Sequence, residues 1–294
     1  SAVIIDSIFF NNQAQNGAGG AIYTQCSERD CSIAIRGSIF HSNFGLLAGG
    51  AVRWLDIEPV LDMKDSKNNI SFFGMTVAGI PFKVLPAKAN QDMVQNQENS
   101  VRILAEEENY ILTDVQSGGV VTRELGFAVV DIYGQVVKTD SQSTATLMAD
   151  QTIEDRVRIV NGFRTAKQGY YNFTEVEITA PPGHPIAVKV LSSVIPQEIT
   201  EADTDDNSFK ISMRSCLQGE VFNSEGECLR CGDDIPTTSQ QANKRRYTLT
   251  ANEPECNDCP PEAYCWGGHL IGPKAGYWRI SSQSDIFFKC PHAE

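Results

Sequence analysis

Two stretches near the start of the chain repeat one another at a fixed step, and that step limits the fold more than any other feature of the 294 residues. Ser7-Ile8-Phe9 followed by Asn12 returns as Ser38-Ile39-Phe40 followed by Asn43, 31 residues later. Gly19-Gly20-Ala21-Ile22 returns as Gly49-Gly50-Ala51-Val52, 30 residues later. A weaker third copy runs through Asn69-Ile70-Ser71-Phe72-Phe73-Gly74. Upstream of each Ser, alternating apolar residues (Ala2 and Ile4; Ile33 and Ile35) predict a short strand. Such a unit buries its apolar face only against its neighbours, so it fits one coil of a parallel β-helix. Residues 1–79 are therefore expected to be the last coils of a longer solenoid. Phe9 and Phe40 should stack inside it, with Ile8 and Ile39 turned outward or toward a flanking face. Asn side chains take left-handed bends and ladder from rung to rung. The Gly-Gly pairs mark corners, not a ligand site.

Residues 80–213 change pattern. Ile80 to Leu85, Val120-Val121, Leu125 to Ile132, Gln135 to Val137, Ser143 to Met148, Arg156 to Val160, Asn172 to Thr179 and Ile186 to Leu191 read as short strands. Turn signals fall between them at Tyr133-Gly134, Asn161-Gly162, Gln168-Gly169 and Pro181-Pro182-Gly183. This spacing predicts an antiparallel β-sandwich of immunoglobulin-like or filamin-like type. Residues 87–109 are polar and too long for a hairpin loop, and are read as an insertion. His184, between two prolines, reads as a loop residue. Asp203, Asp205 and Asp206 lack the glycine and distal Glu of a calcium loop, so Ca²⁺ is unsupported and a solvated linker is expected.

Cysteine dominates the C-terminal segment. Of Cys26, Cys31, Cys216, Cys228, Cys231, Cys256, Cys259, Cys265 and Cys290, seven lie in the last 79 residues. That density belongs to oxidising compartments. The alternative is zinc held by Cys228-x-x-Cys231 and Cys256-x-x-Cys259. Against it, Cys216, Cys265 and Cys290 have no place in a four-thiolate site, and abutting disulfide loops produce the same CxxC step. Six cysteines allow 15 connectivities, and sequential pairing gives Cys216–Cys228, Cys231–Cys256 and Cys259–Cys265. Cys26 and Cys31 are expected to pin a loop between the first two repeats, and Cys290 to pair beyond Glu294. Residues 214–294 are thus read as a small disulfide-rich module, with Trp266, Tyr277 and Trp278 packed over the bridges. Two glycosylation sequons, Asn69-Ile-Ser71 and Asn172-Phe-Thr174, agree with an extracellular or cell-surface location.

Charge and motif content narrow the function. A formal net charge of −13 offers no basic footprint for nucleic acid. No apolar run approaches the roughly 20 residues that span a bilayer, so membrane attachment is expected only through segments outside this sequence. The chain opens inside a repeat, and is read as a fragment of a larger protein. A sugar-cleaving groove needs acids at equivalent positions on adjacent coils. Here Asp6 is matched by Gly37, and Asp56, Glu58, Asp62 and Asp65 fall in the variable stretch. No hydrolase, phosphate-loop or dinucleotide motif occurs. No catalytic residues, metal ligands or cofactor are expected beyond N-glycans.

The Ser-x-Phe-x-x-Asn and Gly-Gly-Ala-Ile steps resemble the repeats of polymorphic outer-membrane proteins and other pectin-lyase-like β-helices. Cys216-Leu-Gln-Gly-Glu220, Cys228-Leu-Arg-Cys231, Cys256-Asn-Asp-Cys259-Pro260, Cys265-Trp-Gly-Gly268 and Gly276-Tyr-Trp-Arg279 resemble growth-factor-receptor or TNF-receptor cysteine-rich regions. The combination is similar to very large surface proteins of ciliates and related protists. The resemblance implies a structural or adhesive ectodomain that contacts other copies of itself or other surface proteins. A membrane-receptor ectodomain is the second reading, and a polysaccharide lyase or hydrolase the third.

Overall fold

The computed structural model describes residues 1–27, 31–89, 101–103, 111–149, 157–195, 208–224, 226–232, 246–251 and 253–291. They form a mainly β molecule, with no helix among the described residues. The first ten strands are β1 (Ala2–Ile5), β2 (Ile8–Phe10), β3 (Gln13–Ala14), β4 (Ile22–Gln25), β5 (Ile33–His41), β6 (Phe44–Ala48), β7 (Val52–Leu55), β8 (Val60–Lys67), β9 (Ile70–Phe73) and β10 (Val77–Ala78). The chain makes three successive turns, and each turn gives strands to the same three parallel sheets. β1 and β2 pair with β5 and β5 with β8; β3 pairs with β6 and β6 with β9; β4 pairs with β7 and β7 with β10.

Register follows the repeat. Ala2 lies beside Ile33, Phe9 beside Phe40 and Ile22 beside Val52. The Phe9 and Phe40 rings stack 4.8 Å apart and 6° from parallel. Phe40 is fully buried in a core with Ile35, Ala51 and Val52, whereas Ile8 points outward and is 71% exposed. The first two turns are closed at one corner by Gly19 and Gly49, both at positive φ, where a Cβ would stand 2.2 Å from a backbone oxygen. Asn12, Asn43 and Asn69 form a column: Asn12 Nδ2 donates to Asn43 Oδ1 at 2.9 Å, and Asn43 Nδ2 to Asn69 Oδ1 at 2.9 Å. Side-chain amides thus satisfy one another where the chain bends away from strand pairing.

The next strands are β11 (Pro81–Ala89), β12 (Val101–Ile103), β13 (Ile111–Val115), β14 (Gly119–Val120), β15 (Leu125–Asp131), β16 (Thr144–Ala149), β17 (Arg158–Val160), β18 (Phe163–Thr165), β19 (Tyr170–Phe173), β20 (Glu177–Thr179), β21 (Pro185–Ser192) and β22 (Ser208–Met213). One sheet runs β12-β11-β15-β19, a second β13-β22-β21-β16-β18, and a third is the short β14-β20-β17. Phe127 of the first sheet meets Phe173 edge-on at 6.0 Å and Phe209 of the second sheet at 5.5 Å. The pairing is not wholly antiparallel as expected, because β13 runs parallel to β22. Nor are residues 87–109 simply an inserted loop. Ala87, Lys88 and Ala89 continue β11 and pair with Ile103, Arg102 and Val101. Pro86 lies within β11 in register with Phe127 of β15.

The last strands are three hairpin pairs: β23 (Glu220–Phe222) with β24 (Cys228–Arg230), β25 (Ala263–Gly267) with β26 (Leu270–Pro273), and β27 (Tyr277–Trp278) with β28 (Phe288–Lys289). Their small core holds Tyr247, Ala263, Cys265 and Ile271. The tryptophans are not enclosed, Trp266 being 54% and Trp278 46% exposed. β25 alternates, so Ala263 and Cys265 face inward and Tyr264 and Trp266 outward.

Candidate functional site

The most elaborate side-chain chemistry in the described residues lies at two joints, where the stacked turns meet the sheets and where the sheets meet the cysteine-rich hairpins. At the first joint the apolar cores are already continuous: Ala48, Phe73 and Ala78 of the turns belong to the same buried cluster as Phe127 and Val129. A polar clamp is built over this contact. Asp131, the last residue of the wholly buried strand β15, is only 1% exposed. Its Oδ1 accepts from Tyr133 N (3.0 Å) and Gln135 N (2.9 Å), and its Oδ2 from Gly79 N and Gln135 Nε2, both at 3.1 Å. Gln135 Nε2 also donates to Val77 O, and Arg53 donates to Gly79 O. Burial pushes the Arg53 guanidinium below its ordinary pKa, and the Asp131 charge works against that. Gly79 has no alternative here, because a Cβ would stand 2.8 Å from the Trp54 indole. Trp54 Nε1 donates to Tyr133 OH (3.1 Å), which donates to Glu58 Oε1 (2.8 Å). Burial first, and then Glu58, push the Tyr133 phenol well above its usual range.

Ser117 organises the second joint. Its fully buried hydroxyl accepts from Ala180 N at 2.9 Å and donates to Gly226 O at 2.5 Å, while its carbonyl accepts from Cys228 N at 3.0 Å. Gln116 Nε2 donates to Cys228 O at 2.8 Å, and Arg158 meets Glu227 at 2.6 Å. Arg214 and Glu220 form a two-pronged pair at 2.7 and 2.8 Å. A cleft of about 400 Å³ opens beside them, bordered by Asp114, Thr122, Arg123 and Arg214. Burial alone raises the Glu220 carboxyl pKa, but Arg214 and the Leu217 N–H outweigh it and leave it below the usual glutamate range. A carboxylate whose folded pKa is depressed contributes stability above its unfolded pKa and loses it as pH falls through the folded value. The β23–β24 hairpin is therefore expected to loosen as pH falls below the ordinary glutamate range. Protection of the Glu220–Phe222 amides, taken against the intrinsic exchange rate at each pH, should fall there in the parent chain, and a Glu220→Gln variant should be poorly protected already at pH 7. Equal exchange in both at pH 7 would refute this role for the pair.

The cysteines are placed in four bridges, Cys26–Cys31, Cys216–Cys228, Cys231–Cys256 and Cys259–Cys265. The thiolates that zinc would need are thus oxidised. Cys290 is a free, half-buried thiol. Asn69 is corrected as a glycan site: it is 6% exposed, and its Nδ2 donates to Phe40 O and Ser66 Oγ, both at 2.9 Å. The nitrogen that would bear the sugar is committed to the column. Asn172 stays half-buried in β19, alternating with the buried Tyr171 and Phe173. Asp6, Asp56 and Asp62 are all exposed and are not brought together: Asp6 bends the chain between β1 and β2, Asp56 follows β7 and Asp62 lies in β8. Asp65 does gain neighbours, His41 and Lys67, each at 3.0 Å on the outer surface. His184 is exposed immediately before β21. The Asp203, Asp205 and Asp206 cluster lies outside the described residues.

No sequence motif singles out Arg53, Ser117 or Gln135, and Asp131 reads only as part of a strand. The one local signal is Asp131-x-Tyr133-Gly134-Gln135, an Asp that ends a long apolar strand and caps the turn after it. Comparison with known proteins found no matching family model, no matching curated protein and no matching solved structure.

Proposed function

We propose that this protein is a non-catalytic structural or adhesive component of a cell surface or extracellular filament, working through protein–protein contacts. In this reading residues 1–79 are a parallel β-helix, 80–213 an immunoglobulin-like or filamin-like sandwich, and 214–294 a cysteine-rich module. The observation that carries it is the pair of joints. Buried polar clamps centred on Asp131 and Ser117 hold three β units in series, which is how a chain keeps two distant surfaces in a fixed relation. Four disulfides favour an oxidising, extracellular setting. The resemblance to large protist surface proteins points the same way. Of the two sequons, Asn172, half-buried in β19, is the one we propose carries a glycan. Native material should yield a modified Gly169–Glu175 peptide, and a glycan on Asn69 instead would count against the placement.

The test of function is direct. Incubated with pectin or alginate, with and without Ca²⁺, the purified protein should release no unsaturated or reducing ends. Robust release, abolished by replacing Asp6, Asp56 or Asp62, would establish an enzyme and end the scaffold reading.

A further inference from the structure

We propose that the cleft at the second joint is a slot for an extended segment of a partner protein, one that carries a single acidic side chain. This rests on reading the protein as one that works through protein–protein contacts, and it gives one such contact a place. The cleft, of about 400 Å³, is lined by every residue from 112 to 116 and from 119 to 123. Successive side chains of a strand point to opposite faces, so a cleft lined by two unbroken runs follows the backbones and not one face. Both backbones are sheet edges. β13 is the outermost strand of β13-β22-β21-β16-β18, and β14 is the outermost strand of β14-β20-β17. The turn between them is closed by Gly119 N–H, which donates to Gln116 O at 3.1 Å. One arm runs from that turn into each sheet, and the cleft is the space between the arms. On the β14 arm, Val121 N–H donates to Val176 O at 2.7 Å, on the side of β20. Peptide groups alternate in direction along a strand, so the N–H and C=O of Val120 face the other way, into the cleft. On the β13 arm the ladder slips between Leu112 and Val115, and Asp114 sits at a φ of 63°. A bulge of this kind leaves peptide groups of an edge strand outside its own ladder. An extended segment entering here adds a strand to both sheets at once.

Charge at the rim selects the side chain. Arg214 uses Nη1 for Ser215 O and Glu220 Oε2, and Nη2 for Glu220 Oε1. A guanidinium has five N–H donors, so the Nε–H and the second Nη2–H are left, with no acceptor among the described residues. These two lie on one edge of the group and form a second two-pronged set for a carboxylate. Arg123, exposed on the β14 arm, brings a second positive charge to the same cleft. Asp114 limits the number of acids. It joins Glu220 in holding the Arg214 guanidinium above its ordinary pKa, so it stands close by and repels a second carboxylate. One acidic residue between neutral strand-forming residues is the sequence that fits. A small free carboxylate would use the Arg214 edge but leave the peptide group of Val120 unpaired.

The experiment titrates the full chain, by calorimetry, with the capped peptide acetyl-Thr-Val-Glu-Val-Thr-amide. Gln in place of Glu should weaken binding by at least about tenfold, the loss of a charge-assisted pair. The same peptide N-methylated at both valines should bind at least as poorly as the Gln peptide, because it cannot pair with the edges. An Arg123→Ala chain should bind the Glu peptide more weakly while its affinity for the Gln peptide stays unchanged. Equal binding of the Glu and Gln peptides would overturn the proposal, as would undiminished binding of the N-methylated one or no binding of any. Free glutamate binding as tightly as the peptide would overturn it too, since the cleft would then be a small-carboxylate site. Failure of the peptide in a chain that releases no sugar ends from pectin or alginate removes the slot alone. Release of sugar ends would instead remove the protein-contact reading beneath it.

Discussion

Replacing Phe40 by Ala is expected to cost about 3–5 kcal/mol, the loss on truncating a fully buried aromatic and leaving a cavity. The site has little means of collapsing. Phe40 is held in register by Phe9 on one side and Ser66 on the other, with Ile35, Ala51 and Val52 around it. Because each turn is stabilised chiefly by its neighbours, the loss should spread to β1–β4, which rest on the second turn alone. Urea unfolding measures the total, and exchange at Ala2–Ile5 measures the spread. Ile8→Ala, one residue from the Phe9 stack but pointing to solvent, should change stability by no more than about 0.5 kcal/mol. A Phe40→Ala cost near that of Ile8→Ala would mean the stack is not the interior of the turns.

Asp131→Ala should be comparably severe, about 3–5 kcal/mol, for a different reason. Removing the carboxylate strands the amides of Gly79, Tyr133 and Gln135 and leaves the Arg53 guanidinium without its opposing charge. An unsatisfied buried donor costs about 1–3 kcal/mol; the Gly79 amide is buried, and those of Tyr133 and Gln135 are partly so. Asp131→Asn keeps one acceptor oxygen and places an amide against N–H donors, so it should fall between the parent and Asp131→Ala. Thermal unfolding of the three chains gives the order. An Asn variant as stable as the parent would show that the carboxylate charge is not used.

Features that repeat along the sequence were legible, and features that depend on distant pairing were not. The step from Asn12 to Asn43 matches the register of two turns, because strands that pair in parallel turn after turn convert sequence period directly into stacking. Asn69 was visible as part of that period, and its burial in the column is what removes it as a glycan site. The outward turn of the tail aromatics has a cause that was readable: Cys265 must point into a bridge, and strand alternation then sends Trp266 outward. The joints carried no such signal. Gly79 and Asp131 are 52 residues apart, and Ser117 and Gly226 are 109 apart. Nothing in the spacing of either pair anticipates contact. The parallel pairing of β13 with β22 was hidden for the same reason.

If both joints hold the three β units in one fixed geometry, the distance between the outer units is single-valued. Spin labels at the exposed positions Lys64 in β8 and Leu229 in β24 span both joints. The parent chain should give one narrow distance distribution, broadened by Ser117→Val at the second joint. A distribution already broad in the parent chain, and unchanged by that substitution, would mean that the joints do not fix the units.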